Sequence, residues 1–174
     1  MNESFPSIWT IGHSTHTLEE FIAMLQSFNI QQLVDVRHFP GSRKFPHFNK
    51  ELLSVSVNAA GIYYEHILEL GGRRKVKPDS ENTAWRHPAF RGYADYMDTD
   101  EFRAGMSRLK ELGLQAPTAY MCSEAVWWRC HRSMISDVLK SEGWKVYHIM
   151  NVGVAKEHPY TAPAKIIDGK LTYH

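Results

Sequence analysis

Residues 118–149 read TAYMCSEAVWWRCHRSMISDVLKSEGWKVYHI and contain the pattern that decides the fold. The apolar run at residues 118–121 predicts a buried strand. Residues 132–142 then predict a helix that ends at Gly143, and residues 145–149 predict another strand. A strand, a helix and a strand in this order form the unit from which parallel sheets are built.

The same alternation runs through the rest of the chain. The first helix is predicted to start at Thr17, because Thr17 and Glu20 have the spacing of a capping box. Thr99, which two acids follow, is predicted to start a later helix that ends at Gly113. Strands are predicted at residues 8–11, 32–36 and 62–68, helices at 17–29, 49–60 and 93–97, and a hairpin at 166–173 around Asp168-Gly169.

These elements predict an α/β fold, in which helices flank both faces of a mostly parallel sheet in a Rossmann-like three-layer arrangement, with a small C-terminal β-hairpin. No linker divides the sequence, so a single α/β domain is expected over residues 1–174. Residues 152–174 are expected to be a C-terminal extension that packs on this domain. Residues 69–90 are predicted to be a long irregular stretch, and such stretches within compact domains are usually functional or mobile.

The composition excludes several classes of protein. With 174 residues and 43% hydrophobic residues, the chain has enough apolar side chains to bury a core, unlike a disordered protein. No apolar run reaches the roughly 20 residues of a membrane helix, and the N-terminus lacks the features of a secretory signal. Two cysteines are too few for a disulfide framework. We therefore expect a cytoplasmic protein with no membrane partner.

Basic charge is concentrated in two predicted loops, although the whole chain has a net charge of only +1. Residues 37–50 and 71–94 together carry a net charge of +8, and the remainder carries −7. Aromatic residues are interleaved with these cations, which favours a surface that binds phosphate groups over an ordinary solvated loop. DNA is therefore the favoured partner, with predicted phosphate contacts at Arg37, Arg43, Lys44, Arg73 and Arg74.

Ligands of open α/β sheets bind outside the carboxyl ends of the strands. The predicted strand ends carry polar residues, at Gly12-His13-Ser14, Asp35-Val36-Arg37, Glu65-His66 and Cys122-Ser123-Glu124. His13 is a candidate catalytic residue or a hydrogen-bonded structural histidine. Asp35 interrupts an apolar strand, so it is a candidate catalytic carboxylate or one half of a buried ion pair with Arg37 or Arg132.

The segment at residues 121–132 is the richest in reactive side chains. Cys122 ends a strand, and the N–H groups of the following helix can lower the pKa of a thiol there. Glu124 is a candidate acid, base or electrostatic stabiliser. Cysteine and histidine are ligands that zinc prefers, but their spacing is wrong for a zinc finger, so no metal is expected. Three residues lie at the predicted helix start, where phosphate binding is favoured: Cys130, His131 and Arg132.

Aromatic residues of this region are candidates for stacking on a base or sugar. Trp127 and Trp128 are adjacent, so their side chains point in different directions and we do not expect both to be buried. The candidate stacking residues are Trp127, Trp128, Tyr93 and Phe48.

A series of motifs along nearly the whole chain resembles the family known as domain of unknown function 488. In chain order the motifs are Thr10-Ile-Gly-His-Ser14, Leu33-Val-Asp-Val-Arg37, Phe39-Pro40-x-Ser42-Arg43, Phe48-Asn49, Leu70-Gly-Gly-Arg73, Phe90-x-Gly92-Tyr93-x-x-Tyr96-Met97, Cys122-Ser-Glu124 with Cys130-His131-Arg132, and His158-Pro-Tyr with Asp168-Gly-Lys-Leu-Thr-Tyr173. The chain departs from the family pattern between Glu124 and Cys130, where Asp-Pro is common and Val126-Trp127-Trp128 stands here. This departure predicts a modified pocket wall.

The resemblance implies the fold and the position of a site, but no settled activity. It associates the chain with nucleic-acid metabolism and defence, and some members of the family with base excision. The residues onto which it carries the site are His13, Asp35, Arg37, Cys122, Glu124, Cys130, His131 and Arg132.

The favoured function is an enzyme that acts on nucleic acid, preferably an N-glycosylase, which is a hydrolase that excises a modified or damaged base from DNA. Such an enzyme holds phosphate, stacks a flipped base and stabilises a cationic sugar. The basic loops, the aromatic residues and the carboxylate of Asp35 or Glu124 provide these three functions, and no cofactor is required. The cysteines are then structural.

Two alternatives stay open. One is a thiol or sulfur-transfer enzyme, in which Cys122 is the nucleophile, Cys130 the resolving cysteine and His131 a base. The other is a non-catalytic nucleic-acid-binding protein, which gives no role to the carboxylates of Asp35 and Glu124.

Overall fold

The computed structural model describes residues 5–41 and 43–174. Ser42, which belongs to one of the family motifs, lies outside the described residues, as do residues 1–4. The strands are β1 (Ser7–Gly12), β2 (Gln32–Asp35), β3 (Tyr63–His66), β4 (Thr118–Cys122), β5 (Lys145–Asn151), β6 (Val154–Glu157), β7 (Lys165–Ile167) and β8 (Lys170–Thr172). The helices are α1 (Leu18–Gln26), α2 (Lys50–Ala59), α3 (Pro88–Tyr96), α4 (Asp100–Gln115) and α5 (Arg132–Ser141).

The main sheet has six strands in the order β3-β2-β4-β1-β5-β6. The first five are parallel, and β6 is antiparallel to β5 at one edge. Strands β7 and β8 form a separate hairpin. The structure therefore confirms the predicted α/β architecture and the C-terminal hairpin, whose turn residues Asp168 and Gly169 both have positive φ angles, as a type I′ turn requires.

Helices cover both faces of the sheet. The apolar sides of α1 and α2 pack in one core with Phe21, Leu25 and Leu53, and those of α3, α4 and α5 pack in the other with Tyr93 and Leu109. Thr17 caps α1 as predicted, since its side chain accepts a hydrogen bond from the N–H of Glu20.

The predicted end of α4 at Gly113 was wrong, because the helix continues to Gln115. A Cβ atom at Gly113 would lie 3.0 Å from the ring of Trp144, so the glycine is needed for close packing and not for a helix end. No sequence pattern indicated β6, because this edge strand is short and mostly exposed. Through β6, the predicted C-terminal extension begins inside the main sheet.

The strand order creates a crevice between β1 and β4. These strands are neighbours, with Gly12 beside Cys122 at their carboxyl ends. The chain leaves β1 for α1 on one face and leaves β4 for α5 on the other. The loops after the two strands therefore diverge, which is the condition for a ligand site in an open α/β sheet.

Candidate functional site

A cleft of about 820 Å³ opens at the carboxyl ends of the strands. We call it the strand-end cleft. Its floor is formed by the loops after β1 and β4, and its walls by residues 37–39, 41, 45, 72–73 and 87–93. The side chains that line it include His13, His38, Phe39, Arg73, Phe90, Cys122, Glu124, Trp128, Arg129, Cys130 and His131.

The two loops of the floor are in direct contact. The N–H of His13 donates to the carbonyl oxygen of Cys122 at 3.0 Å, and the N–H of Ser14 donates to that of Ser123 at 2.9 Å. A Cβ atom at Gly12 would lie 1.6 Å from the carbonyl oxygen of Glu124, so only glycine fits there. The Gly-His-Ser motif thus fixes the loop that follows β4.

Cys122 and Cys130 meet in the floor of the cleft. Their side chains are hydrogen-bonded to each other, and they are only 2% and 6% exposed. Burial raises the pKa of the Cys122 thiol well above its usual value. Burial also acts to raise the pKa of Cys130, but the hydrogen bond from Cys122, the charge of Arg132 and the N–H of Arg132 together lower it. Cys130 is therefore the thiol that ionises first.

His131 is held with a defined face towards Cys130. Its Nε2 lies 2.8 Å from the carbonyl oxygen of Val36, so Nε2 carries the proton and donates it. The other nitrogen, Nδ1, then has a free lone pair 3.5 Å from the sulfur of Cys130. Burial lowers the pKa of His131, which keeps the imidazole neutral at pH 7.

Arg132 is a buried cation without a carboxylate. It is 2% exposed, and its Nη2 donates to the carbonyl oxygens of Glu124 at 3.1 Å and Ala125 at 3.4 Å. Its Nε and Nη1 are buried without a hydrogen-bond partner. Across residues 5–41 and 43–174, no carboxylate forms an ion pair with it. Its charge acts instead on Cys122, Cys130 and His131.

His13 lies on the β1 side of the floor. Its Nδ1 donates to the carbonyl oxygen of Ser14 at 3.0 Å, and its ring stacks on Phe48 at 4.3 Å. Burial lowers the pKa of His13 to about 4, so the imidazole is neutral at pH 7 and its Nε2 is a hydrogen-bond acceptor.

Asp35 and Arg37 form an ion pair at the edge of the cleft, which Arg37 lines. The carboxylate of Asp35 is fully buried and accepts from Nε of Arg37 at 2.9 Å, from Nη2 at 2.7 Å and from the hydroxyl of Tyr64 at 2.5 Å. Arg37 also donates to the carbonyl oxygen of Phe48 at 2.8 Å. A buried ion pair with Arg37 was one of the two interpretations of Asp35 that the sequence allowed. The pair gives both residues a structural role, while the catalytic role of Asp35 and phosphate binding by Arg37 stay predictions.

The four predicted stacking residues differ in accessibility. Phe48 and Tyr93 are core side chains, and the hydroxyl of Tyr93 donates to the carbonyl oxygen of Leu70. One face of Trp127 is covered by His148, whose ring lies parallel to it at 4.5 Å. Trp128 is 52% exposed and lines the cleft, so it is the one of the four whose ring is open to a ligand.

The predicted basic contacts divide in a similar way. Arg43 and Lys44 are exposed, and Arg73 lines the cleft with its guanidinium 5.2 Å from the centre of the Phe39 ring. Arg74 lies 3.7 Å from the centre of the Tyr96 ring and donates to the carbonyl oxygen of Gly71, so its position is structural. Cys130 and Arg132 are buried and His131 is partly buried, and phosphate binding by these three residues stays a prediction.

The sequence prediction missed part of the cleft wall. His38, Phe39, Phe90 and Arg129 line the cleft, and Nδ1 of His38 is buried without a partner. The family motifs contain Phe39 and Phe90, but nothing in the local pattern indicated that these four side chains face the cleft. In the residues that the structure describes, no group of three or more His, Cys, Asp or Glu side chains is arranged to hold a metal ion.

A second polar cluster, buried behind the floor, was also missed. Nε2 of His148 lies 2.8 Å from Nδ1 of His158, and Nε2 of His158 lies 2.8 Å from Oδ1 of Asp137. Asp137 also accepts from the hydroxyl groups of Thr161 at 2.6 Å and Tyr173 at 2.7 Å. These contacts join α5 to the C-terminal segment, and nothing in the local sequence pattern around Asp137 indicates them.

The fold and the site define a class of protein: an α/β domain with a ligand cleft at the strand ends and two contacting thiols in its floor. The chain belongs to the family described as Domain of unknown function DUF488, whose model matches residues 17–139. No curated protein and no solved structure matches the chain. Among the described residues, no helix has the length and apolar character that a membrane span needs.

Proposed function

We propose that the protein is a cysteine-dependent enzyme of the thiol or sulfur-transfer type, with the thiolate of Cys130 as its nucleophile. The observation that carries the proposal is the buried guanidinium of Arg132, which lies beside two contacting thiols and has no carboxylate partner among the described residues. A buried cation without a counter-charge is costly, so the arrangement favours loss of one proton from the thiol pair.

Tyr120 and His148 lie near Arg132 but are poorer sources of the missing negative charge than a thiol. The carboxylate of Glu124 acts on Cys130 and that of Asp137 acts on Tyr120, but neither forms an ion pair with Arg132 among the described residues. The charge of Arg132 also acts on Tyr120 and His148. Burial raises the pKa of the Tyr120 hydroxyl, and burial lowers the pKa of His148 to about 2, which makes it a neutral group and not an anion. The thiolate of Cys130, whose pKa the charge of Arg132 helps to lower, is the anion that fits.

These contacts reverse the roles expected from the sequence, where Cys122 was the nucleophile. Cys130 has the lower pKa and lies within reach of Nδ1 of His131, which can take up its proton and return it to a leaving group. Cys122 is the more deeply buried of the two, and its thiol donates to the carbonyl oxygen of Glu124 at 3.9 Å. Cys122 is therefore the supporting thiol in this proposal.

The cleft above Cys130 suits a substrate with a flat ring and an anionic group. Trp128 and Phe39 provide aromatic surface, and Arg73 and Arg129 provide cations at the mouth. A nucleotide, or a base within a nucleic acid, has both features. Because two cysteines are too few for the disulfide framework of a secreted domain, we place the protein in the cytoplasm.

Alkylation with iodoacetamide tests the nucleophile directly. Trypsin cleaves after Arg129, so Cys122 and Cys130 fall on different peptides, residues 111–129 and 130–132. We expect brief labelling of the native protein at pH 7 to modify the 130–132 peptide first, and the Cys122→Ser variant to keep this reactivity. Labelling confined to the 111–129 peptide, or absent from both until the protein is unfolded, would remove the proposal.

A second candidate is the N-glycosylase that acts on DNA. The observation in its favour is that Glu124 is the only carboxylate among the described residues that line the cleft, with the open ring of Trp128 on the same loop. DNA with modified bases is incubated with the protein, and released bases are identified by mass analysis. A glycosylase loses base release in Glu124→Gln and keeps it in Cys130→Ser, whereas the thiol enzyme releases no base.

Nucleic-acid binding without catalysis has a separate test. Arg43 and Lys44 are exposed beside the cleft mouth, so replacing both with alanine should remove up to two cations that neutralise phosphates. The slope of log affinity against log salt for duplex DNA should then fall by about 0.9 for each phosphate that is no longer neutralised. Lys165→Ala with Lys170→Ala, on the C-terminal hairpin, which does not line the cleft, is the control for the change in net charge. An unchanged slope excludes this surface as a nucleic-acid site.

A further inference from the structure

We propose that Cys130 and Cys122 are a peroxide-oxidation site, at which a hydroperoxide converts the two thiols into an intramolecular disulfide. This inference rests on the proposed function, because both require a reactive Cys130. It adds a second substrate class, hydroperoxides, and a way of switching the cleft off.

The first support is the contact between the sulfurs. Both cysteines are free, and their side chains are hydrogen-bonded to each other. Cys122 is the last residue of β4, and Cys130 lies two residues before α5 begins. The two positions are brought together by the fold, and not by the short Cys-x-x-Cys spacing that usually identifies a redox pair.

The second support is that the two sulfurs can be reached from the cleft, while their other side is covered by the protein interior. Both cysteines line the strand-end cleft, so a small hydroperoxide reaches them from the cleft mouth. Behind them lies the buried guanidinium of Arg132, which favours the thiolate over the thiol. Accessible low-pKa thiols next to a second cysteine are the arrangement that oxidises reversibly.

The hydroperoxide oxidises the two thiols in two steps. The Cys130 thiolate attacks one oxygen of the hydroperoxide, so an S–O bond forms and the O–O bond breaks. The other oxygen leaves with a proton as an alcohol, or as water when the oxidant is hydrogen peroxide, and Cys130 becomes a sulfenic acid. The sulfur of Cys122 then attacks the Cys130 sulfur, so the S–S bond forms, the S–O bond breaks, and hydroxide leaves with the Cys122 proton as water.

The disulfide removes both the nucleophile and the anion that balances Arg132. Oxidation should therefore abolish the brief iodoacetamide labelling of Cys130, and a thiol reductant should restore it. Exposure to hydroperoxide thus turns the proposed thiol chemistry off reversibly.

The test is a non-reducing tryptic map of the full chain after treatment with one equivalent of hydrogen peroxide, with free thiols blocked under denaturing conditions. We expect peptides 111–129 and 130–132 to be recovered joined, with a mass lower by two hydrogen atoms than their sum, and to separate on reduction. Both peptides recovered separately with blocked thiols, or a chain cross-linked to a second chain, would overturn the inference.

Two variants identify the oxidised sulfur and keep the test independent of a folding defect. In Cys122→Ser, the sulfenic acid has no resolving thiol, so dimedone should trap it on the 130–132 peptide. In Cys130→Ser, we expect dimedone to trap almost nothing at Cys122. Iodoacetamide labelling of Cys130 without disulfide formation would refute this inference and leave the proposed function standing. If Cys130 is neither labelled nor joined to Cys122, the inference and the proposed function are both refuted.

Discussion

Gly12 determines how closely the loops after β1 and β4 approach each other. A Cβ atom there would lie 1.6 Å from the carbonyl oxygen of Glu124 and 3.1 Å from Nη2 of Arg132. We expect Gly12→Ala to lower the free energy of unfolding by about 1–3 kcal/mol, the usual cost of overpacking. Urea unfolding followed by circular dichroism measures the decrease.

Gly41→Ala is the matched control, because a Cβ atom at Gly41 would meet only Oδ1 of Asn49, at 4.0 Å. This substitution should leave the unfolding free energy within about 0.5 kcal/mol of the parent protein. Equal destabilisation by both substitutions would show that the close approach at Gly12 carries no special cost.

At the residue scale, the sequence indicated which side chains lie near the strand ends but not how they are partnered. Asp35 stood out because an acid in an apolar strand needs a partner, and both candidate partners, Arg37 and Arg132, could be named. The choice between them depends on side-chain geometry that spacing does not encode. The contact between Cys122 and Cys130 was also invisible, because it arises from the course of the loop between β4 and α5.

At the scale of elements, Asp137 connects α5 to the C-terminal segment. Its buried carboxylate accepts hydrogen bonds from His158, Thr161 and Tyr173. Asp137→Asn replaces an acceptor by an amide that faces these donors, so we expect the unfolding free energy to fall by about 3–5 kcal/mol. Hydrogen exchange should show the greatest increase in residues 158–174.

Asp100→Asn provides the comparison, since the side chain of Asp100 is fully exposed and pairs only with Arg103 at the surface. That change should cost no more than about 0.5 kcal/mol. If Asp137→Asn proved equally mild, or if exchange rose evenly over the whole chain, the carboxylate would not be the connection that the structure indicates.

Elements with strong periodicity were predicted well, and those determined by tertiary contacts were not. The start of α1 at Thr17 and the hairpin turn at Asp168 follow from local chemistry, namely a side-chain cap and a turn with positive φ angles. The end of α4 does not follow from local chemistry, because packing of Gly113 against Trp144 outweighs the helix-ending tendency of glycine. Edge strand β6 exists because β5 offers it a hydrogen-bonding partner.

At the scale of the whole molecule, stability should fall with decreasing pH. Burial lowers the pKa of His13 to about 4 and that of His148 to about 2, from a usual value of 6.5. Below pH 6.5 the unfolded chain therefore binds protons that the folded protein does not, which favours unfolding. Above pH 6.5 both histidines are mostly neutral in the folded and the unfolded protein, so neither contributes to the pH dependence of stability.

We expect the unfolding free energy to decrease between pH 6.5 and 5 by up to about 1.4 kcal/mol per pH unit for each of these two histidines. Urea titrations at several pH values give this slope. His148→Gln should reduce the slope whatever it does to stability at pH 7, because one of the two groups is removed. A free energy that is constant or rises towards pH 5 would contradict the burial of both imidazoles in neutral form.

The architecture and the position of the cleft followed from the whole pattern of strands and helices, because parallel strands place their carboxyl ends at one edge. The chemistry stays a prediction. Carboxylates at strand ends favoured a glycosylase, whereas the fold engages Asp35 with Arg37 and puts a thiol pair beside an unpaired arginine. A buried cation without a counter-charge is a property of the folded molecule, and no local sequence motif predicts it.

Titration of the thiolate absorbance against pH tests most directly whether Arg132 holds Cys130 as a thiolate. In the unmodified protein one thiol should ionise below the usual pKa of cysteine, and Cys130→Ser should remove this step. Arg132→Met should move the step to higher pH, while Arg132→Lys, which keeps the charge, should move it less. Ionisation of both thiols at or above the usual pKa, unaffected by Arg132→Met, would contradict this role of Arg132.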